Sequence, residues 1–310
     1  MGGDLRLSWN ELEPLPGSYD LGDMIEALED FNSSGFSTYV NLGTIDIGFL
    51  EIPEEFENPE NGNELAPGLN FNDPEIISRF RALLEEIVPI MVDKGVFYLS
   101  IGNEVNAWLE NNPDQVDPYI DFLKSAKATV RSIDERLAVG TTQIFAQEDE
   151  VVDRLIEVSD AVVFNYYPVD ANTFFVKSPS VVESEINNYV DRAAGKLVLF
   201  QEMGCPSGYL PDPTNNSSLE IQRMCLKNAF NTFFGNPDLR FVSVFNFVDF
   251  DDAFCDSLIS DFGLDGLEFP QDVAERFVEW NCTLGLRFND DVLTEKPAWE
   301  VFIGSLEKLN

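Results

Sequence analysis

Three observations predict a parallel α/β architecture for this chain, a (β/α)8 TIM barrel. Short, near-continuous apolar runs alternate with segments of helical period along all 310 residues. Polar and charged residues collect directly after those runs, where barrel enzymes place their sites. The glycine-rich first turn that a doubly wound, phosphate-binding sheet would want is missing.

In chain order, Leu5 to Trp9 reads as a short strand, followed by turn formers as far as Asp20. Asp20 is placed to cap a helix carrying Met24, Ile25, Leu28 and Phe31 on one face, and Gly35 ends it. The strand Phe36 to Leu42 precedes a long loop through Asp46, Pro53 and Pro67. Pro74 starts a helix whose Ile77, Phe80, Leu84, Ile87 and Val88 repeat at helical spacing up to Gly95. Val96 to Ile101 is a buried strand that stops at Gly102-Asn-Glu104. Pro118 opens a helix, Leu137 to Thr142 is a strand, and Glu150 to Val158 a helix. Ala161 to Pro168 and Lys196 to Glu202 are further strands, separated by a helix over Val181 to Ala194. A helix over Ser218 to Phe234 leads to the strand Phe241 to Phe247, a loop with Asp249, Asp251 and Asp252, and a closing helix from Lys296. This gives seven strands in one catalytic domain spanning 1–310, where a closed barrel needs eight. If the Trp9 strand is the barrel's second, the first strand and its helix are absent or replaced by Met1 to Asp4.

Composition narrows the chemistry. The formal charge of −37 makes nucleic acid and anionic membranes poor partners. No run of 18 apolar residues spans a membrane, and the first residues are no signal peptide. With no histidine, Ser-His-Asp and Cys-His catalysis and His-ligated zinc are excluded, so proton transfer falls to Asp, Glu, Lys or Tyr. Cys205, Cys225, Cys255 and Cys282 lack CxxC spacing; they read as core residues, and spacing leaves open one or two disulfides in an exported protein. Asp249, Asp251 and Asp252 lack the spacing of a calcium loop. No metal and no cofactor is expected.

Two strands end in glutamate, at Gly102-Asn-Glu104 and at Gln201-Glu202. Two carboxylates at strand C-termini are the pair that retaining glycoside hydrolysis uses. The chain resembles clan A glycoside hydrolases, which carry Asn-Glu at the end of strand 4 and a nucleophilic Glu at the end of strand 7. Locally, Gly102-Asn-Glu-Val105, Glu202-Met-Gly-Cys-Pro-Ser207 and Asn165-Tyr-Tyr-Pro168 resemble the plant-type and microbial β-1,3-glucanase family. Trp9-Asn-Glu-Leu-Glu-Pro-Leu-Pro-Gly-Ser-Tyr-Asp20 resembles other families of the clan. Cys205 and Phe247 depart from tryptophans common at those places.

The resemblance and the chemistry together imply roles. Glu202 would be the nucleophile and Glu104 the acid/base, with Arg6 and Tyr166 or Tyr167 as donors to Glu202. Asn103 would bond the sugar 2-hydroxyl. Trp9, Trp108, Tyr209 and Phe247 would stack on sugar faces. The expected substrate is an oligo- or polysaccharide, with β-1,3-glucan ahead of β-galactan and β-mannan, cut by a secreted or periplasmic monomer. A non-catalytic carbohydrate-binding barrel and a transglycosylase are the alternatives.

Overall fold

The computed structural model describes residues 2–144, 150–261 and 270–309. The chain divides into two compact units, one of residues 1–165 and 192–201, the other of 166–191 and 202–310.

The first unit is built from parallel strands with helices between them. Strand β1 (Gly2–Ser8) pairs with β2 (Ser37–Asp46), β2 with β3 (Val96–Asn103), and β3 with β4 (Ala138–Gly140). After Thr141 the chain resumes as β5 (Thr142–Ile144), parallel to β6 (Val162–Tyr166). Strands β2, β3 and β6 follow the apolar runs that the sequence marks and are buried on both faces as a parallel sheet requires, while β1 is only part-buried. Two register pairs matter for the site: Asn41 lies opposite Ser100, and Asp46 opposite Asn103.

Helices α1 (Gly22–Ser33), α2 (Pro74–Asp93), α3 (Val105–Asn111), α4 (Val116–Ile133) and α5 (Glu150–Val158) fill the connections. Asp20 does not cap α1: the N-cap position is Leu21, and no side chain bonds to that helix end. The stretch read as a long loop after Asp46 carries short strands, Phe49–Leu50 against β2 and Glu57–Asn58 against Asn61–Leu65. The core packs Trp9, Phe56, Phe71, Phe80 and Phe122 against the aliphatic faces of α2 and α4. Each such ring contributes roughly 1.5–3 kcal/mol through burial.

In the second unit, the end of β7 (Val198–Met203) has the N–H of Phe245 donating to its Met203 carbonyl at 3.0 Å, just past β8 (Leu239–Val244). Helix α6 (Val182–Arg192) precedes β7, and α7 (Leu219–Gly235) follows it, capped by the Ser218 hydroxyl accepting from the Ile221 N–H. The aspartates 249, 251 and 252 do not form a loop throughout. Helix α8 (Asp252–Asp261) starts there, with the Asp251 carboxylate accepting from the Phe254 N–H. Helices α9 (Gln271–Cys282) and α10 (Pro297–Leu306) complete the unit. Two disulfides, Cys205–Cys225 and Cys255–Cys282, use all four cysteines.

Candidate active site

In the first unit the site grows from the end of β3. Gly102 has φ +85°, and a Cβ there would run into the Val105 side chain and come within 2.8 Å of the Tyr119 hydroxyl. Glycine is required on both counts. Glu104, at the N-cap of α3, is itself left-handed at φ 50°, ψ 36°. A non-glycine residue in that region costs of order 1 kcal/mol, and such residues cluster at functional sites. The strained turn aims the Glu104 carboxylate at Asn165, whose amide donates to Oε1 at 2.8 Å. The same Asn165 amide donates to Asn103 Oδ1 at 3.2 Å.

Behind these residues lies a buried polar network. Gln201 Oε1 accepts from Asn41 Nδ2 (2.7 Å), Thr142 Oγ1 (2.7 Å) and the Tyr39 hydroxyl (2.9 Å). Gln201 Nε2 donates to Asn103 Oδ1 at 3.1 Å. Burial pushes the Tyr39 phenol far above its ordinary range, so it acts as a neutral donor. Asn103 Nδ2 donates in turn to Asp46 Oδ1 at 2.8 Å.

Arg6 is exposed and paired with Asp46, with Glu51 at 3.9 Å. Burial raises the Glu51 carboxyl above the usual range, opposed by Arg6. Trp9 and Trp108 offer no sugar platform. Trp9 is wholly buried among phenylalanines and donates to Glu13 Oε2 at 2.9 Å. Trp108 is buried edge-on to Phe71 and donates to the Asn63 carbonyl at 2.8 Å. Both rings serve the core because the elements that carry them turn inward at these positions.

In the second unit, Glu202 is half-buried and accepts from the Tyr167 hydroxyl at 2.6 Å. Tyr167 is held edge-on to Trp280, with centroids 5.1 Å apart, and a Cβ on Gly204 would come within 2.9 Å of its ring. The glycine two residues after Glu202 therefore makes the space that Tyr167 needs. Tyr166 points elsewhere. Its buried hydroxyl donates to Glu185 Oε2 at 2.9 Å, and its pKa rises through burial and the neighbouring Glu185 charge. Tyr167, by contrast, donates its hydroxyl to Glu202. Phe247 is half exposed and packs against Trp299 and Phe302. Tyr209, also exposed, has its N–H held by the buried Glu279 at 2.6 Å.

Asp46, Asn165 and Gln201 carry no role in the motif reading. A signal existed for two of them, since Gln201 immediately precedes Glu202 and Asn165 opens the Asn165-Tyr-Tyr-Pro168 motif; Asp46 becomes visible only through register.

No protein-family model matches the chain, and no curated protein matches it. Solved structures do. A GH5_18 protein from Streptomyces cattleya in complex with Manβ1-4GlcNAc superposes with a TM-score of 0.69 at 15% identity, over 98% of this chain and 71% of that one. An apo beta-glucosidase 1317 gives 0.64 at 16% identity, over 100% of this chain and 84% of that one. The exo-beta-1,4-mannosidase Op5Man5 from Opitutaceae bacterium strain TAV5 gives 0.65 at 17% identity, over 99% of this chain and 52% of that one. At these identities the likeness shows the fold, and that fold is a (β/α)8 barrel.

Proposed function

We propose that this protein is a retaining β-glycoside hydrolase, with Glu202 as nucleophile and Glu104 as acid/base. The observation that carries this reading is that two strand-terminal glutamates each hold a specific side-chain donor, Asn165 on Glu104 and Tyr167 on Glu202. A phenol donating to a carboxylate favours its ionised form, as a nucleophile needs. In a retaining enzyme the two carboxyls stand about 5–5.5 Å apart. Glu202 attacks the anomeric carbon while Glu104 protonates the leaving oxygen, and Glu104 then deprotonates the water that releases the sugar. Asn103 bonds the 2-hydroxyl, a contact that strengthens in the transition state.

The likeness to a mannosidase, a glucosidase and a complex with Manβ1-4GlcNAc favours a β-linked manno- or gluco-configured glycan. It lends no support to the narrower resemblance to β-1,3-glucanases, and it moves β-mannan to the front of the substrates to try. The two disulfides support an exported protein.

The test is release of reducing sugar from β-mannan, β-1,3-glucan, β-1,4-glucan and β-galactan by wild type, Glu104→Gln and Glu202→Gln. Release by wild type that both variants lose, with azide rescuing Glu104→Gln on an activated aryl glycoside, is the expected result. Glycan binding by all three proteins without release would leave a binding barrel instead.

A further inference from the structure

The orientation of one amide is dictated from both ends of a hydrogen-bond chain. The Gly102 carbonyl can only accept, and it takes a hydrogen from Asn41 Nδ2 at 3.3 Å. Asn41 Nδ2 also donates to Gln201 Oε1, which fixes Gln201 with Nε2 toward Asn103 Oδ1. At the far end the Asp46 carboxylate, paired with Arg6, accepts from Asn103 Nδ2. Reversing the Asn103 amide would set its NH2 against the donors of Gln201 and Asn165, and its carbonyl against a carboxylate. Both contacts are repulsive in a dry site. Asn103 Oδ1 already takes two donors. The second hydrogen on Nδ2 has no partner among the described residues.

We propose that Gln201 and Asp46 are positioning residues that lock the Asn103 amide as a donor toward the sugar C2 substituent. The site then selects glycosides whose C2 group accepts a hydrogen bond. This rests on the hydrolase reading, in which Asn103 meets the 2-hydroxyl. The lock uses a carboxylate from the end of β2 and an amide from the residue before the nucleophile, and neither touches substrate.

The test compares the 4-nitrophenyl β-glycoside that wild type cleaves with its 2-deoxy counterpart. Gln201→Met and Asp46→Ala are expected to lower kcat/KM on the 2-hydroxy substrate about 10- to 100-fold, the range of a hydrogen bond left unmade at a buried group. On the 2-deoxy substrate the change should stay within about 3-fold, and neither variant should add to the loss caused by Asn103→Ala. Equal losses on both substrates, or additivity with Asn103→Ala, would overturn the proposal.

A second readout needs no activity. The Asn103 side-chain amide protons, assigned by their loss in Asn103→Ala, should show one slowly exchanging hydrogen in wild type that becomes fast in Gln201→Met and Asp46→Ala. Unchanged exchange overturns the lock. If exchange responds while wild type cleaves no glycoside, the lock stands and the hydrolase reading falls.

Discussion

The two units reach stability by different routes. The first holds no cysteine, and its interior is a continuous aromatic and aliphatic cluster with a polar network inside it. The second holds all four cysteines in two disulfides and relies on buried charges. Its Lys296 is fully buried, donating to Asp249 Oδ1 at 2.7 Å and to the Ser207 hydroxyl at 3.0 Å. Its Glu279 is also fully buried, accepting from the N–H groups of Tyr209 and Thr214 and from the Thr214 hydroxyl. The first unit also buries a charge, Glu13 held by Arg79, so the covalent links are what set the second unit apart.

The contrast breaks most clearly under mutation. Phe80→Ala, in the centre of the first unit, is expected to cost about 3–5 kcal/mol in chemical denaturation, with or without reductant. Replacing Cys255 and Cys282 by serine should cost about 2–5 kcal/mol and expose the second unit to limited proteolysis before the first. A cleavage map with cuts spread evenly over both units would contradict the division. On activity, Tyr167→Phe removes the donor on Glu202 and should lower kcat/KM about 10-fold, equivalent to about 1.4 kcal/mol. Tyr166→Phe, which removes the bond to Glu185, should leave the rate unchanged.

The smallest effect is one of pH. Burial holds the Glu51 carboxyl above the usual glutamate range. The folded state therefore keeps a proton that the unfolded chain has already released, and this residue's contribution falls as pH rises from the ordinary glutamate value through the raised one. Glu51→Gln should gain on wild type as pH rises above the ordinary glutamate pKa. Parallel stability curves for the two proteins would sink that assignment.

What the sequence makes legible follows the same division. Apolar runs such as Val96 to Ile101 announce β3, and the helical period from Ile77 to Val88 announces α2 with its Pro74 start, because burial writes these patterns directly. Helices α8 and α9 leave no such trace. Helix α9 buries Arg276 and Glu279 beside Val273 and Phe277, so its inner face does not read as apolar. The disulfide pairing was equally hidden, since spacing carries no information on which cysteines meet.

At the site, the strand-terminal position of Glu104 and Glu202 was readable, while the role of Asp46 depends on the β2–β3 register that sets it opposite Asn103. Aromatic residues misled most. Trp9 and Trp108 have the composition of sugar platforms, yet only three-dimensional packing decides whether a ring faces the core or the solvent.

The central claim is that Glu202 forms a covalent bond to the sugar. Incubation with an activated 2-deoxy-2-fluoro β-glycoside of the cleaved sugar, followed by intact-mass and peptide mass spectrometry, reads this directly. One added sugar on the peptide carrying Glu202, lost in Glu202→Gln, together with first-formed product of retained anomeric configuration, is the expected result. An active enzyme that gives inverted product, or an adduct on any other residue, would contradict it.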